Sequence, residues 1–175
     1  MKIIRYGVFE TNSSSTHSLT LGKDKTLLDT LALPTNDNNE VIIKLGEFGW
    51  GPEEFRAQLS KLAYLLTMVA MTELVKEKIP DHISPLEYFR NTEGFKALEE
   101  FVQKFGYKGI STELINIEWK SHSSGGRYLD ISGYIDHQSC ESYNSLAAFL
   151  EDEGCTIETL ILGKTAVVKV DNDNH

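Results

Sequence analysis

Apolar residues in the first part of the chain follow the short runs and the alternation that are typical of β-strands. Residues 2–9 are mostly apolar and aromatic, and they predict a strand with Gly7 as a candidate bulge. Residues 17–21 alternate polar and apolar side chains, as a half-buried strand does. A third short strand is predicted at 41–45, where β-branched residues dominate. Between 22 and 40 the composition is polar and predicts a loop.

In the middle of the chain, apolar residues recur at the spacing of a helix. Across 52–77 they fall at steps of three and four and form one stripe: Phe55, Leu59, Leu62, Leu66, Val69 and Ala70. Pro52 and the two glutamates that follow it suit the first turn of this helix. Ser84 and Thr92 predict the N-terminal caps of two shorter helices, the second of which stops at Gly106. The segment 52–77 is therefore predicted to be the central core helix.

The second half of the chain returns to strand patterns. Residues 113–119 and 127–135 flank a glycine-rich loop and predict a hairpin. Residues 157–162 and 165–170 alternate apolar side chains and predict a second hairpin. A short helix is predicted between the two hairpins, over 144–153.

The order of these elements predicts one α+β domain over residues 1–175. In this fold a mainly antiparallel sheet packs against one long helix and two or three shorter helices. The last residues, 171–175, are all polar, and we expect them to form a frayed tail.

The charge of the chain bears on the partners that it can take. Its 175 residues include 17 Lys and Arg against 26 Asp and Glu, which gives a formal net charge of −9. Binding to nucleic-acid backbone regardless of sequence needs clustered cations, and the sequence has no such cluster. We therefore expect no direct binding of nucleic-acid backbone. The acidic balance serves solubility or, alternatively, attracts a basic partner.

Cysteine use and the absence of long apolar runs bear on the compartment. Cys140 and Cys155 lack the spacing of a zinc site, and we expect both to be reduced, buried thiols. Arg5 and Glu10 interrupt the apolar residues near the N-terminus, so no signal peptide is predicted. No apolar run approaches the roughly 20 residues of a membrane span. The expectation is a soluble, cytoplasmic protein that does not associate with a membrane.

The densest group of chemically useful side chains lies between the first two predicted strands. It comprises Glu10, Asn12, Ser13, Ser14, Ser15, Thr16, His17 and Ser18. Small hydroxyl residues in a turn can present side-chain and backbone donors to an anion. His17 could then act as a general base or as a cation, with Glu10 orienting it. The alternative is a solvated loop whose serines and asparagine bond to their own backbone.

A second candidate lies at the end of the strand predicted over 127–135. Asp136 and His137 are adjacent, so they share one site only if the strand ends there. A histidine that changes charge near neutral pH is a natural proton carrier. The alternative is a turn with a satisfied imidazole. Cys140 lies nearby, but no neighbouring group in the sequence would lower its pKa, which favours a structural role.

Four phrases of the sequence resemble a group of uncharacterised bacteriophage and mobile-element proteins whose N-terminus carries an FETNSSS[ST]HS motif. The first is 9–18, Phe-Glu-Thr-Asn-Ser-Ser-Ser-Thr-His-Ser, and the others are 46–50, 61–65 and 133–139. The resemblance covers the chain from its N-terminus to residue 139. It implies a viral or mobile-element source, and hence the host cytoplasm, but no particular activity. It also implies that the serine tract and the Asp136-His137 step belong to one constellation.

Two functions are consistent with these residues. In the first, a small hydrolase or group transferase acts on a phosphate-containing or nucleotide-like ligand. The serine tract binds the anionic group, His17 and His137 form an acid/base pair, and Glu10 or Asp136 orients a histidine or holds a metal. In the second, a non-catalytic acidic protein binds and inhibits a host protein, such as a defence component. The sequence does not identify the cofactor or the metal that either function would use.

Overall fold

In a computed structural model, the chain alternates short strands with helices. The structure describes residues 15–21, 26–48, 53–75, 79–135 and 143–172. At 15–18 and 171–172 it describes the backbone alone. The strands are β1 Ser15–Thr20, β2 Glu40–Ile42, β3 Glu47–Phe48, β4 Glu53–Phe55, β5 Gly109–Ser111, β6 Ile117–Ser121, β7 Arg127–Ile131, β8 Tyr134–Ile135 and β9 Val167–Asn172. The helices are α1 Gln58–Val69, which continues as the π-helical turn Ala70–Leu74, then α2 Pro85–Asn91, α3 Glu93–Gln103, α4 Leu146–Asp152 and α5 Ile157–Leu162. The predicted α+β class is confirmed.

Strand pairing is mainly antiparallel. β9 lies between β1 and β4 and is antiparallel to both, and β6 and β7 form an antiparallel hairpin. Two further pairs are parallel, β2 with β5 and β3 with β8. Parallel pairs need long crossovers, and here the helices α1 to α3 lie within those connections.

Several predicted elements have different bounds or a different type. The segment 157–162 is helix α5 and not a strand, because Thr156 and Thr159 form a reciprocal capping box at its start. A short apolar run such as Leu160-Ile161-Leu162 fits a buried helix as well as a strand. The predicted hairpin of 157–162 with 165–170 is therefore wrong, and β9 pairs with β1 and β4 instead.

Other differences are at element ends. The long helix begins at Gln58 rather than at 52, because residues 53–55 pair with β9 as β4. The expected frayed tail is wrong for Asp171 and Asn172, whose backbones pair with β1. The strand predicted over 2–9 lies outside the described residues.

Helix α1 is the core helix that the apolar stripe predicts. Its fully buried side chains include Leu62, Leu65, Leu66, Met68 and Val69. Helices α2 and α3 begin at the predicted caps: the Ser84 hydroxyl accepts from the amide of Glu87, and the Thr92 hydroxyl accepts from that of Phe95. No helix among the described residues is long and apolar enough to cross a membrane.

A buried carboxylate in the π-helical turn holds two other helices by their N-termini. Glu73 is 9% exposed; its Oε2 accepts from the amide of Gly94 at 2.8 Å, and its Oε1 accepts from the amide of Leu146 at 2.8 Å. These amides lie in the first turns of α3 and α4, where backbone donors have no partner within the helix and the dipole favours a negative charge. A Cβ on residue 94 would lie 2.5 Å from Glu73 Oε1. Glycine at that position therefore allows the close approach.

Replacing this carboxylate by its neutral isostere tests its contribution to stability. We expect Glu73→Gln to lower the free energy of unfolding by about 1.5–3 kcal/mol, because a charged acceptor of two buried amides is lost. The glutamine side chain would then present its NH2 group, a donor, to one of the two backbone amides of Gly94 and Leu146. Denaturant unfolding monitored by circular dichroism measures this, with exposed Glu113→Gln as the control. Equal stability of the two variants would contradict the role given to Glu73.

Candidate functional site

Part of the serine tract lies in strand β1. Ser15, Thr16, His17 and Ser18 all belong to this strand, whose backbone pairs with β9. The strand predicted over 17–21 is confirmed in its main part, but it begins at Ser15, so Ser15 and Thr16 are not in a connecting loop as we expected. The other residues predicted for this tract lie outside the described residues: Glu10, Asn12, Ser13 and Ser14.

Strand β9 connects the position of His17 with that of Glu53. Val170 of β9 pairs with His17 of β1 on one side and with Glu53 of β4 on the other. Neighbouring strands are about 4.8 Å apart, so the backbones at 17 and 53 are separated by about 10 Å. The start of β1, the end of β9 and the start of β4 therefore meet at one end of this sheet.

The second candidate tract directly follows β8. This strand ends at Ile135, and Asp136 and His137 lie outside the described residues. β8 is parallel to β3, with Tyr134 opposite Glu47 and Ile135 opposite Phe48. Ligand sites of parallel sheets lie beyond the carboxyl ends of the strands. Both strands of this pair end at the same edge.

Phe48 joins this parallel pair to the three-stranded sheet and to the core helix. Its ring is 3% exposed and lies edge-on to two others, with centroids 4.9 Å from Phe55 of β4 and 5.1 Å from Tyr64 of α1. Edge-to-face pairs at these distances are favourable beyond the area they bury. We call the group of Phe48, Phe55, Tyr64 and Ile135 the Phe48 junction.

Segments that carry the resemblance meet at the Phe48 junction although they are far apart in the sequence. Phe48 comes from 46–50, Tyr64 from 61–65, and Ile135 from 133–139. The backbone holds segments 46–50 and 133–139 together, because the amide of Tyr134 donates to the carbonyl of Gly46 at 3.0 Å. Segment 9–18 ends within β1, which is separated from β4 by strand β9.

The charged side chains near the junction are mostly carboxylates. Glu47 and Glu53 are exposed. Glu54 accepts from Lys169 at 2.8 Å and also pairs with Arg56, and these hydrogen bonds hold the pKa of its carboxyl below its usual range. Lys169 and Arg56 are thus both engaged by Glu54.

A metal centre and a thiol nucleophile find no support in the described part of the chain. Within it, no three His, Cys, Asp or Glu side chains are grouped so that they could hold a metal ion. Burial, followed by the nearby charge of Glu153, raises the pKa of the Cys155 thiol to about 12. Such a thiol is protonated at neutral pH and is a poor nucleophile. Cys140 lies outside the described residues.

Lys61, in the same phrase as Tyr64, is a buried cation. It is 2% exposed, and its ammonium donates to the carbonyl of Gly163 at 3.2 Å, at the C-terminal end of α5. A positive charge at that end of a helix is favourable. Burial, and then the charge of Arg56, nevertheless lowers the pKa of Lys61.

Sequence reasoning missed the residues that organise this region. Lys61 carried no usable signal, because charged residues commonly flank the apolar stripe of a helix and only the fold shows that this lysine is buried. Glu73 carried none, since its partners are backbone amides of helices 21 and 73 residues later in the chain.

Comparisons of the chain with protein-family models, with curated proteins and with solved structures found no match.

The lowered pKa of Lys61 makes a prediction about stability and pH. The folded protein releases this proton at a lower pH than the unfolded chain, whose lysine pKa is 10.5. Between the two pKa values the unfolded state binds more protons, so Lys61 adds to the free energy of unfolding as the pH rises. We expect the difference in unfolding free energy, wild type minus Lys61→Met, to increase as the pH approaches 10.5 from below.

Urea unfolding of both proteins at a series of alkaline pH values measures that difference. Because Cys155 is present in both proteins, its own titration cancels. A difference that stays constant or falls with pH would contradict the lowered pKa.

Proposed function

We propose that this chain is a phage or mobile-element accessory protein that works in the host cytoplasm as a small enzyme. The reaction is hydrolysis or group transfer on a phosphate-containing or nucleotide-like ligand. The proposed site combines the residues that follow β8 with those at the start of β1.

One observation supports this function: the strands next to the two candidate tracts are linked through the Phe48 junction. Ile135, the residue before Asp136 and His137, is opposite Phe48, and the Phe48 ring contacts Phe55 of β4. β4 and β1 flank the same strand, β9. The first tract enters β1 and the second follows β8, so each adjoins an element that is linked to Phe48 directly or through β9 and β4. These links support a shared site.

The residues divide into three roles in this reaction. The anionic group is bound by the amide, hydroxyl and backbone N–H groups of Asn12, Ser13 and Ser14, which precede β1. The hydroxyls of Ser15, Thr16 and Ser18 in β1 complete this set. His17 and His137 are the acid/base pair: one takes a proton from the attacking water or hydroxyl, and the other protonates the leaving oxygen. The attacking oxygen bonds to phosphorus as the bond to the leaving oxygen breaks. Glu10 or Asp136 orients a histidine or holds a metal ion.

Removing either histidine tests these roles. We expect His17→Ala and His137→Ala each to lower the rate about 100-fold or more, since general acid–base catalysis contributes that much. The measurement is phosphate or nucleotide release from a panel of nucleotides and aryl phosphate esters, with Mg²⁺ and with EDTA.

His82→Ala is the matched control, because His82 is exposed and lies in the turn before α2. Its rate should equal that of the wild type. If all three variants turned over substrate at the same rate, His17 and His137 would not be the catalytic pair.

A second candidate function is a non-catalytic acidic protein that binds and inhibits a host protein, such as a defence component. The observation that favours it is a partly apolar groove with acidic edges between α3 and α4. This function predicts that His17→Ala leaves binding to the host protein unchanged.

A further inference from the structure

A groove of about 430 Å³ runs between α3 and α4 and reaches the start of α5. Its apolar lining consists of Ala97, Phe101, Ala147, Leu150 and Ile157. We call it the α3–α4 groove. Phe101 is almost fully buried and belongs to the floor, whereas Ala147 is exposed at the edge.

The two walls of the groove are matching faces of helices. Ala97, Phe101 and Lys104 follow one another at steps of four and three along α3. Along α4, Leu150 and Glu151 lie three and four residues after Ala147. Residues three and four apart form ridges on a helix, and a further helix packs between such ridges. An amphipathic helix is therefore the occupant that fits this geometry.

The charged edge of the groove is mainly negative. Three carboxylates line it, Glu100, Glu151 and Glu158, against one amine, Lys104. Lys104 donates to Glu158 at 3.0 Å. Burial acts to raise the pKa of Glu158, but hydrogen bonds led by that from Lys104 leave it below its usual range. Glu100 and Glu151 form no ion pair within the described residues.

The position of Glu151 also favours a basic occupant. It lies in the last turn of α4, which contains no basic residue. The dipole makes the C-terminal end of a helix favourable for cations and unfavourable for carboxylates. A cation of a partner beside Glu151 would therefore be favourable at this end of the groove.

We infer that the α3–α4 groove binds a basic amphipathic helix of a protein partner. Its apolar side chains occupy the groove, and lysine or arginine side chains at its edges pair with Glu100 and Glu151. This inference rests on the second candidate function and adds the chemistry of the partner to it.

Synthetic peptides of about 18 residues, long enough to form a helix, serve as the probes. The first has leucine along one helical face and lysine elsewhere. The second has the same composition in an order without an apolar face, and the third has glutamate in place of lysine. We expect only the first to bind, with amide chemical-shift changes at Ala97, Ala147, Leu150 and Ile157.

Two variants of the full chain test the groove, each with a matched control. Glu100→Gln with Glu151→Gln should weaken binding about five- to tenfold, as the loss of two exposed ion pairs would. The control Glu113→Gln with Glu118→Gln changes the net charge equally at exposed positions away from the groove, and we expect a change of less than about twofold. Ala147→Arg should abolish binding by filling the groove, whereas Ala32→Arg, at another exposed alanine, should not.

Three outcomes would overturn the assignment: equal affinity for the reordered peptide, equal losses in the two double variants, or shift changes outside the groove. Because all six substitutions, three in the groove and three in the controls, are at exposed positions, we expect unchanged thermal unfolding. The broader interaction function is tested separately, by whether the full chain binds a host protein through any surface. The two can therefore fail independently.

Discussion

The carboxylate of Glu73 accepts hydrogen bonds from two buried backbone amides, one at the start of α3 and one at the start of α4. The same helical segment carries Lys61, whose ammonium binds the carbonyl of Gly163 at the end of α5. With about 1.5 Å of rise per residue, these two charges are about 18 Å apart along the axis. One central segment thus fixes the termini of three other helices. Loss of either charge would leave polar backbone groups buried without partners, which is costly.

This arrangement connects the core to the candidate site and to the α3–α4 groove. Tyr64 lies between the two charges on α1, and its ring contacts Phe48 at 5.1 Å and Phe149 of α4 at 6.1 Å. The Phe48 contact sets the edge where β3 and β8 end. By holding α3 and α4 by their first turns, Glu73 also sets the spacing of the helices that form the α3–α4 groove. The candidate site and the groove therefore depend on the same buried contacts.

Local signals predicted the parts of the fold that local chemistry decides. The caps at Ser84 and Thr92 and the apolar stripe of α1 need only neighbouring residues, and all three are present. The strand predicted at 157–162 was wrong because six residues are too few to show a helical or a strand period. The capping box at Thr156 favours the helix that the structure has there. Pairing of β4 with β9 could not be read from Glu53-Glu54-Phe55, since it depends on a strand more than a hundred residues later. The two polar tracts of the candidate site could be identified from local composition. The Phe48 junction could not, because its residues are distant from one another in the sequence.

The central claim is that the serine tract and the Asp136-His137 step form one site. The most direct measurement follows the imidazole NMR signals of His17 through a pH titration, in the wild type and in His137→Ala. If the two histidines share a site, the titration of His17 shifts in the variant, while the signals of exposed His82 do not change. An unchanged titration of His17 would contradict a shared site, and with it the proposed acid/base pair.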